Sequence, residues 1–185
     1  MPHTTGILDL LESALRKDDW GNDGLLHAST DLVGPLRHTM LRMAGAPELP
    51  ESWASLVTLQ IGVNNQYRGR PAQDYREQFA ALLSRAIRLA GDRAARVVVV
   101  SIPDWGVTRF AREQARDRAL IASELDAYNA IAEDEARRAG VHFVDITGIS
   151  RAHPELVADD GLHPSAAQYS LWLGPIEAAV RAALR

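Results

Sequence analysis

The segment Arg96–Ile102 constrains the fold most strongly, because four consecutive valines stand at its centre. β-Branched residues favour strands over helices, so this segment predicts a strand. Its side chains are apolar on both faces and must be covered on both faces, which is typical of the parallel sheets of α/β proteins. Pro103 ends the strand, since proline has no backbone N–H to donate to a neighbouring strand.

Shorter apolar runs predict two more strands, and apolar residues at helical spacing predict helices between them. Strands and helices alternate, which predicts an α/β fold with a parallel sheet between two layers of helices, in a single domain over residues 1–185. The predicted strands are Leu56–Gly62, Arg96–Ile102 and Val141–Ile146, and the predicted helices are Gly6–Lys17, a segment within Ser29–Met43, Ala72–Ala90, Gln114–Ala139 and Ser165–Leu184.

The composition excludes several classes of function. A net charge of −4 leaves no basic footprint for nucleic acid or for an anionic membrane surface. The absence of cysteine excludes disulfides, thiol nucleophiles and thiolate metal sites. No apolar run approaches the roughly 20 residues that span a bilayer, and the first six residues do not resemble a signal peptide. The default expectation is a cytoplasmic protein, unless sequence upstream of Met1 carries a signal.

Chemistry in a parallel sheet collects at the carboxyl ends of the strands, so the loops after the predicted strands are the places to look for a site. The loop after the first strand holds two adjacent asparagines, Asn64 and Asn65. An amide side chain at a strand end is suited to donate a hydrogen bond to a developing oxyanion. An Asx-turn explains the same residues equally well.

A second candidate lies before the last helix, where Asp160 precedes His163 by three residues. This spacing lets a carboxylate accept a hydrogen bond from the Nδ1–H of the imidazole, which fixes the tautomer and leaves Nε2 as a base. The competing explanation is a helix start, where acidic residues are favourable and Ser165 is a suitable cap. The Asp-x-x-His spacing alone favours the helix start.

Together, the two loops resemble the SGNH hydrolases, also called the GDSL esterase/lipase family. In that family a Gly-x-Asn-Asp block follows a central strand, and an Asp-x-x-His block precedes the last helix. The residues Gly62-Val63-Asn64-Asn65 are similar to the first block, with Asn65 where the family has aspartate. Asp160 and His163 are similar to the second block. The resemblance extends from about Asn22 to the C-terminus.

This resemblance implies a flavodoxin-like α/β/α sandwich that hydrolyses a small carboxylic ester by acyl transfer to serine, without a metal or cofactor. It implies that His163 is the general base, that Asp160 orients it, and that Asn64 donates to the oxyanion. Upstream, Asn22-Asp23-Gly24 is similar to the family's Asn-x-Gly block, which implies the Gly24 N–H as a second oxyanion donor. A plain glycine turn explains that segment equally well.

The family's first block, Gly-Asp-Ser, occurs nowhere in the 185 residues. In the family it follows the first strand and holds the nucleophilic serine. That strand is central in a flavodoxin-like sheet, and its loss would leave buried backbone groups unpaired at about 1–3 kcal/mol each. Since a domain has a net stability of only about 5–15 kcal/mol, we expect the first strand to lie upstream of Met1 or to be replaced.

Three explanations for the missing block stay open. The chain is an N-terminally truncated version of a longer protein, or a degenerate relative with a closed-up sheet and no hydrolase activity, or an enzyme that uses another serine or threonine. The hydroxyls of the N-terminal region do not follow a convincing strand, so no nucleophile is assigned. They include Thr4, Thr5, Ser13 and Ser29.

A non-catalytic protein that binds a small polar or sugar-like ligand in the same cleft is the competing hypothesis. The candidate contacts with a substrate or ligand are Asn65, Tyr67, Arg68 and Trp105, with Gln66 and Arg109 beside them. Each of these side chains is also explained as core edge or solvated surface. A metal site formed by His153, Asp159, Asp160 and His163 is a weaker hypothesis, because their spacing fits no standard ligand pattern.

Overall fold

The computed structural model describes residues 56–185 of the chain. Three strands in this part form one sheet, in the order β1–β2–β3, and both strand pairs are parallel. The parallel sheet predicted from the apolar runs is therefore confirmed, although each strand is shorter than its run. The strands are β1 Val57–Leu59, β2 Val97–Val100 and β3 His142–Val144.

Helices connect the strands and flank the sheet. The crossover from β1 to β2 contains α1 and α2, and the crossover from β2 to β3 contains α3 and α4. Two short 3₁₀ turns, Ala94–Arg96 and Trp105–Val107, lie just before and shortly after β2. The helices are α1 Val63–Tyr67, α2 Ala72–Leu89, α3 Arg109–Glu113, α4 Arg118–Ala139, α5 Thr147–Ala152 and α6 Ala166–Ala183.

The valines of β2 explain why helices cover both faces of the sheet. Side chains alternate across a strand, so Val97 and Val99 pack with α2 and α4 on one face. Val98 and Val100 pack on the other face with Trp172 of α6. All four valines are at most 6% exposed, and burying each contributes about 1.5–3 kcal/mol. The helix–sheet–helix layering predicted from the apolar strand is present in residues 56–185.

Capping residues mark where the long helices α4 and α6 begin and where α4 ends. Ser165 caps α6 by accepting a hydrogen bond from the Gln168 N–H. Gly140 ends α4 with a φ of +69°, in the left-handed region that favours glycine. The predicted start of that helix at Gln114 was wrong by four residues, because Asp117 caps it with two hydrogen bonds to backbone N–H groups.

Short helices replace three stretches that the sequence predicted as loops. They are α1, α3 and α5, each of five or six residues. A helix of one or two turns is too short to show the apolar periodicity on which the sequence prediction depends. The order of the larger elements is unchanged by these additions.

Part of the sequence interpretation falls outside the described residues. The predicted helix Gly6–Lys17, the predicted helix within Ser29–Met43 and the Asn22–Gly24 block all lie in residues 1–55. The first strand and the oxyanion role of Gly24 therefore stay predictions.

Candidate active site

A polar network, buried except for Asp145, joins the ends of β2 and β3, where the sequence predicted the site. The Ser101 hydroxyl donates to Asp145 Oδ1 at 2.8 Å and accepts from the Ile146 N–H at 2.8 Å. Burial raises the pKa of Asp145, but hydrogen bonds from Thr147 and Ser101 outweigh burial and hold this pKa below its usual value. The network fixes the loops that follow both strands, and none of these residues was singled out from the sequence.

Asn129 of α4 extends this network to the backbone of Ile102. Its side-chain oxygen accepts from the Ile102 N–H at 2.8 Å, and its amide nitrogen donates to the Ile102 carbonyl at 3.1 Å and to Thr147 Oγ1 at 3.0 Å. Asn129 is only 8% exposed. An amide in this position supplies the hydrogen bonds that a neighbouring strand would otherwise give.

Asp160 and His163 meet in the segment Val157–Pro164, which we call the dyad loop. The carboxylate oxygen Oδ2 of Asp160 lies 2.5 Å from Nδ1 of His163. Oδ1 of Asp160 accepts from the backbone N–H groups of Leu162, at 2.8 Å, and His163, at 3.0 Å. Since a carboxylate only accepts hydrogen bonds, the Nδ1 atom of His163 carries the proton.

The same hydrogen bonds keep the Asp160 carboxylate charged. Partial burial raises the pKa of Asp160, but the hydrogen bonds from His163 and from the two backbone N–H groups outweigh burial and hold this pKa below its usual value. Ser165 caps α6, so Asp160 does not cap that helix. Its carboxylate instead orders the dyad loop and binds the imidazole.

The far side of the His163 ring is accessible. The His163 side chain is 58% exposed, and within residues 56–185 its Nε2 atom has no hydrogen-bond partner. An imidazole whose Nδ1–H is held by a carboxylate presents the unprotonated Nε2 as a proton acceptor. The pair therefore has the geometry of the base and its orienting acid in a triad.

Asn64 lies on α1, directly after the end of β1. Gly62 precedes this helix with a φ of +119°, and a Cβ atom there would lie 2.6 Å from the ring of Tyr75. Only glycine fits this turn, because any side chain would be strained and would overlap the buried tyrosine. The tight turn places Asn64 and Asn65 in the first turn of α1, at the carboxyl end of the sheet.

The other side chains of α1 are held by neighbouring elements. Asn65 donates to Gln78 Oε1 of α2 at 2.9 Å. Gln66 is buried, donates to Glu124 at 2.7 Å and accepts from the Trp105 indole N–H at 2.7 Å. The sequence did not distinguish Gln66 from its neighbours, yet it joins α1 to the segment that follows β2.

Tyr67 and Trp105 form an aromatic pair that Arg116 covers. Their ring centroids are 5.4 Å apart, and the Arg116 guanidinium carbon lies 4.7 Å from the Tyr67 centroid and 5.5 Å from the Trp105 centroid. Tyr67 is 42% exposed, whereas Trp105 is 5% exposed. The Tyr67 ring is therefore accessible to a ligand, and the buried Trp105 ring packs against it. Arg68, the next residue along the chain, is also exposed.

The predicted site residues meet in two groups. Asp160 binds His163 directly, and Tyr67 contacts Trp105. The groups are joined through α3, because the Phe110 ring packs against Trp105 and the Phe110 N–H donates to the Gly161 carbonyl at 3.0 Å. Both groups therefore adjoin the segment that follows β2 at its carboxyl end.

A metal centre does not form from the described residues. Within residues 56–185, no group of three or more histidine, aspartate or glutamate side chains lies close enough together to hold a metal ion. His153, Asp159, Asp160 and His163 therefore do not come together as such a group. No helix in this part of the chain has the length and apolarity needed to cross a membrane.

Comparison with solved structures supports the fold. The lipase/acylhydrolase from Enterococcus faecalis aligns with a TM-score of 0.51 and 18% identity, over 86% of this chain and 70% of that one. LAE5, an alpha/beta hydrolase from the metagenome of Lake Arreo, Spain, aligns with a TM-score of 0.53 and 20% identity, over 87% and 81%. TesA aligns with a TM-score of 0.50 and 13% identity, over 85% and 96%. At such low sequence identities, these structural alignments show a shared fold alone.

Comparison of sequences identifies the family. No curated protein sequence matches the chain. A family model described as the GDSL-like Lipase/Acylhydrolase family matches residues 8–171, which is most of the chain. This match includes the Gly62–Asn65 segment and the dyad loop, the two places from which the resemblance was inferred. The chain therefore belongs to the GDSL-like lipase/acylhydrolase family.

Proposed function

We propose that this protein hydrolyses small carboxylic esters, with His163 as general base and Asp160 as the residue that orients it. The 2.5 Å contact between Asp160 Oδ2 and His163 Nδ1 is the observation that carries this proposal. It supplies the carboxylate–imidazole pair that acyl transfer needs, and membership of the GDSL-like family supports it.

The proposed reaction has two steps. A hydroxyl nucleophile attacks the ester carbonyl while His163 Nε2 takes its proton, and the proton then goes to the departing alkoxide, which leaves as an alcohol. In the second step, water attacks the acyl-enzyme and gives a proton to Nε2. Nε2 then passes that proton to the nucleophile oxygen as its bond to the acyl carbon breaks, which releases the acid and restores the hydroxyl. Asp160 stays ionised throughout and stabilises the imidazolium that forms in each step.

We propose Asn64 as one oxyanion donor, because it lies in the first turn after the sheet edge. Gly24, outside the described residues, is the proposed second donor. Asn65, Tyr67, Arg68 and Trp105 are the proposed substrate contacts, of which Tyr67 is the most suitable because its ring is exposed.

The nucleophile is not assigned. The described hydroxyls at the carboxyl edge of the sheet are Ser101, Thr108, Thr147 and Ser150, and each is buried and already hydrogen-bonded. No serine or threonine of residues 56–185 is hydrogen-bonded to His163. A fluorophosphonate probe followed by peptide mass spectrometry would identify a reactive hydroxyl anywhere in the chain.

Hydrolysis of p-nitrophenyl acetate tests the proposal. We expect a catalysed rate, in the 185-residue chain or in a version extended upstream of Met1. His163→Gln and Asp160→Asn are each expected to lower this rate on the order of 10²–10⁴-fold. His153→Gln is the matched control, because His153 is also a partly exposed histidine beside a carboxylate, Glu155, at 3.5 Å. Equal rates in His163→Gln and the unmodified protein would exclude the proposal.

A non-catalytic protein that binds a small polar or sugar-like ligand is the second candidate. The absence of Gly-Asp-Ser from the sequence favours it, as does the exposed Tyr67 ring beside the Arg116 guanidinium. A thermal-shift screen of sugars and small polar compounds would test it. A ligand that stabilises the unmodified protein but not Tyr67→Ala would support binding, provided that the fluorophosphonate probe labels nothing.

A further inference from the structure

The first turn of α3 lies against the tip of the dyad loop, which we define as residues 159–161; the residues on either side form its base. Arg109 Nη2 donates to the carbonyl oxygen of Asp159 at 2.8 Å. The Phe110 N–H donates to the carbonyl oxygen of Gly161 at 3.0 Å. The two residues that α3 holds stand immediately before and after Asp160.

Gly161 is shaped to receive the Arg109 side chain. It has a φ of +71°, and a Cβ atom there would lie 2.7 Å from Arg109 Nε and 3.1 Å from Nη2. Gly161 is buried, although Asp160 before it and His163 two residues after it are exposed. The guanidinium therefore occupies the space in which a side chain at position 161 would stand.

Hydrogen bonds within and beside the dyad loop close its base and join its tip to the base. At the base, the Ala158 N–H donates to the His163 carbonyl at 2.8 Å, and just outside the loop the Ser165 N–H donates to the Leu156 carbonyl at 3.0 Å. A backbone hydrogen bond joins the tip to the base, from the Gly161 N–H to the Ala158 carbonyl at 2.9 Å. The two hydrogen bonds from α3 add contacts to the tip from outside the loop.

We propose that Arg109 is a positioning residue that fixes Asp160 so that it orients His163, an inference that rests on the proposed hydrolase function. His163 belongs to the base of the loop and Asp160 to its tip, so their hydrogen bond depends on how the tip is held. Arg109 acts on the residues at both sides of Asp160 and does not itself bind the carboxylate.

Shape rather than charge is the basis of this role. The carboxylate nearest to the Arg109 guanidinium is Glu113, at 3.7 Å, not Asp160. A planar guanidinium can cover Gly161 and bond to the Asp159 carbonyl at the same time, whereas an ammonium group cannot do both. Arg109→Lys and Arg109→Gln are therefore both expected to release the tip.

Nitrogen NMR of the 185-residue protein, labelled at histidine, tests the inference without reference to activity. Ring ¹⁵N shifts distinguish the Nδ1–H from the Nε2–H tautomer, and His163→Gln assigns the signal among the six histidines. We expect the Nδ1–H tautomer in the unmodified protein and a mixture of tautomers in Arg109→Lys and Arg109→Gln. Arg112→Gln is the control, because Arg112 also lies on α3 but bonds to the Val107 carbonyl.

Steady-state hydrolysis of p-nitrophenyl acetate adds a second measurement. We expect Arg109→Gln to lower kcat about 10-fold with KM nearly unchanged, because a displaced base affects the transition state more than substrate binding. In an Asp160→Asn background the same substitution is expected to have no further effect, since Arg109 acts through Asp160. A general loss of stability would lower the rate in both backgrounds.

The two measurements separate failure of this inference from failure of the proposed function. If hydrolysis does not depend on His163, the function is wrong, and the NMR experiment alone decides the role of Arg109. If hydrolysis depends on His163 but either Arg109 variant keeps the wild-type tautomer and kcat, this inference is wrong and the proposed function stands.

Discussion

Asp104 and Arg151 form an ion pair beneath the candidate site, with Asp104 Oδ2 at 2.8 Å from Arg151 Nε. Asp104 is only 2% exposed, and its Oδ1 atom accepts from the Gly106 N–H at 2.8 Å. Arg151 reaches further, to Asp126 of α4 at 2.8 Å. The pair connects the segment after β2 with α5 and thereby supports Trp105 and α3.

Replacing Asp104 is expected to destabilise the protein. Asp104→Ala leaves the Gly106 N–H without its acceptor and the Arg151 Nε–H without its partner. We expect urea unfolding to show a loss of about 1–3 kcal/mol. Asp126→Ala is the control, because Asp126 binds the same guanidinium but is 57% exposed, and a loss of no more than about 0.5 kcal/mol is expected there. Equal losses in the two variants would contradict this account of Asp104.

The turn at Gly62 gives a second stability prediction. Gly62→Ala would place a methyl group 2.6 Å from the ring of Tyr75, which is only 1% exposed and cannot move away. The strained φ of +119° adds to this overlap, so we expect a loss of roughly 1–3 kcal/mol or more. Gly69→Ala is the matched control, because Gly69 has a φ of +63° but nothing within 4 Å of its Cβ position. A loss no greater than that of Gly69→Ala would show that overlap with Tyr75 is unimportant.

Asp160 makes the stability depend on pH. Its pKa in the folded protein lies below the usual value, so it stabilises the fold above the pKa of about 3.9 that an unfolded chain has. That contribution is lost as the pH falls through the folded pKa. We therefore expect Asp160→Asn to lower Tm at pH 7 and to lower it less at about pH 2.5.

Thermal unfolding followed by circular dichroism at several pH values checks this prediction. Asp159→Asn is the control, because Asp159 is exposed in the same loop and Arg109 contacts its carbonyl oxygen rather than its carboxylate. The difference in Tm between that variant and the unmodified protein is expected to be small at every pH. A pH-independent difference for Asp160→Asn would contradict the assignment.

The larger elements could be predicted from the sequence because each depends on a local pattern, whereas the dyad needed the family resemblance as well as its spacing. The valines of β2 require cover on both faces, and the spacing of Asp160 and His163 allows their contact. Hydrogen bonds between distant segments leave no such pattern. Ser101 and Asp145 are 44 residues apart and Asp104 and Arg151 are 47 apart, so only the fold shows that they meet.

The amide of Asn129 is such a long-range contact, and its removal should be costly. Asn129→Ala takes away the acceptor of the Ile102 N–H and one donor to the Ile102 carbonyl, inside the core at the end of β2. The carbonyl keeps the hydrogen bond from Thr147 Oγ1 at 2.9 Å, but the N–H is left unsatisfied. We expect urea unfolding to show a loss of about 1–3 kcal/mol in the free energy of unfolding.

Asn65→Ala is the control. It removes an amide that is less buried and is bonded only to Gln78, at 2.9 Å, so we expect it to lower the free energy of unfolding by about 0.5 kcal/mol or less. If the two variants unfold at the same urea concentration, the hydrogen bonds of Asn129 do not stabilise the end of β2.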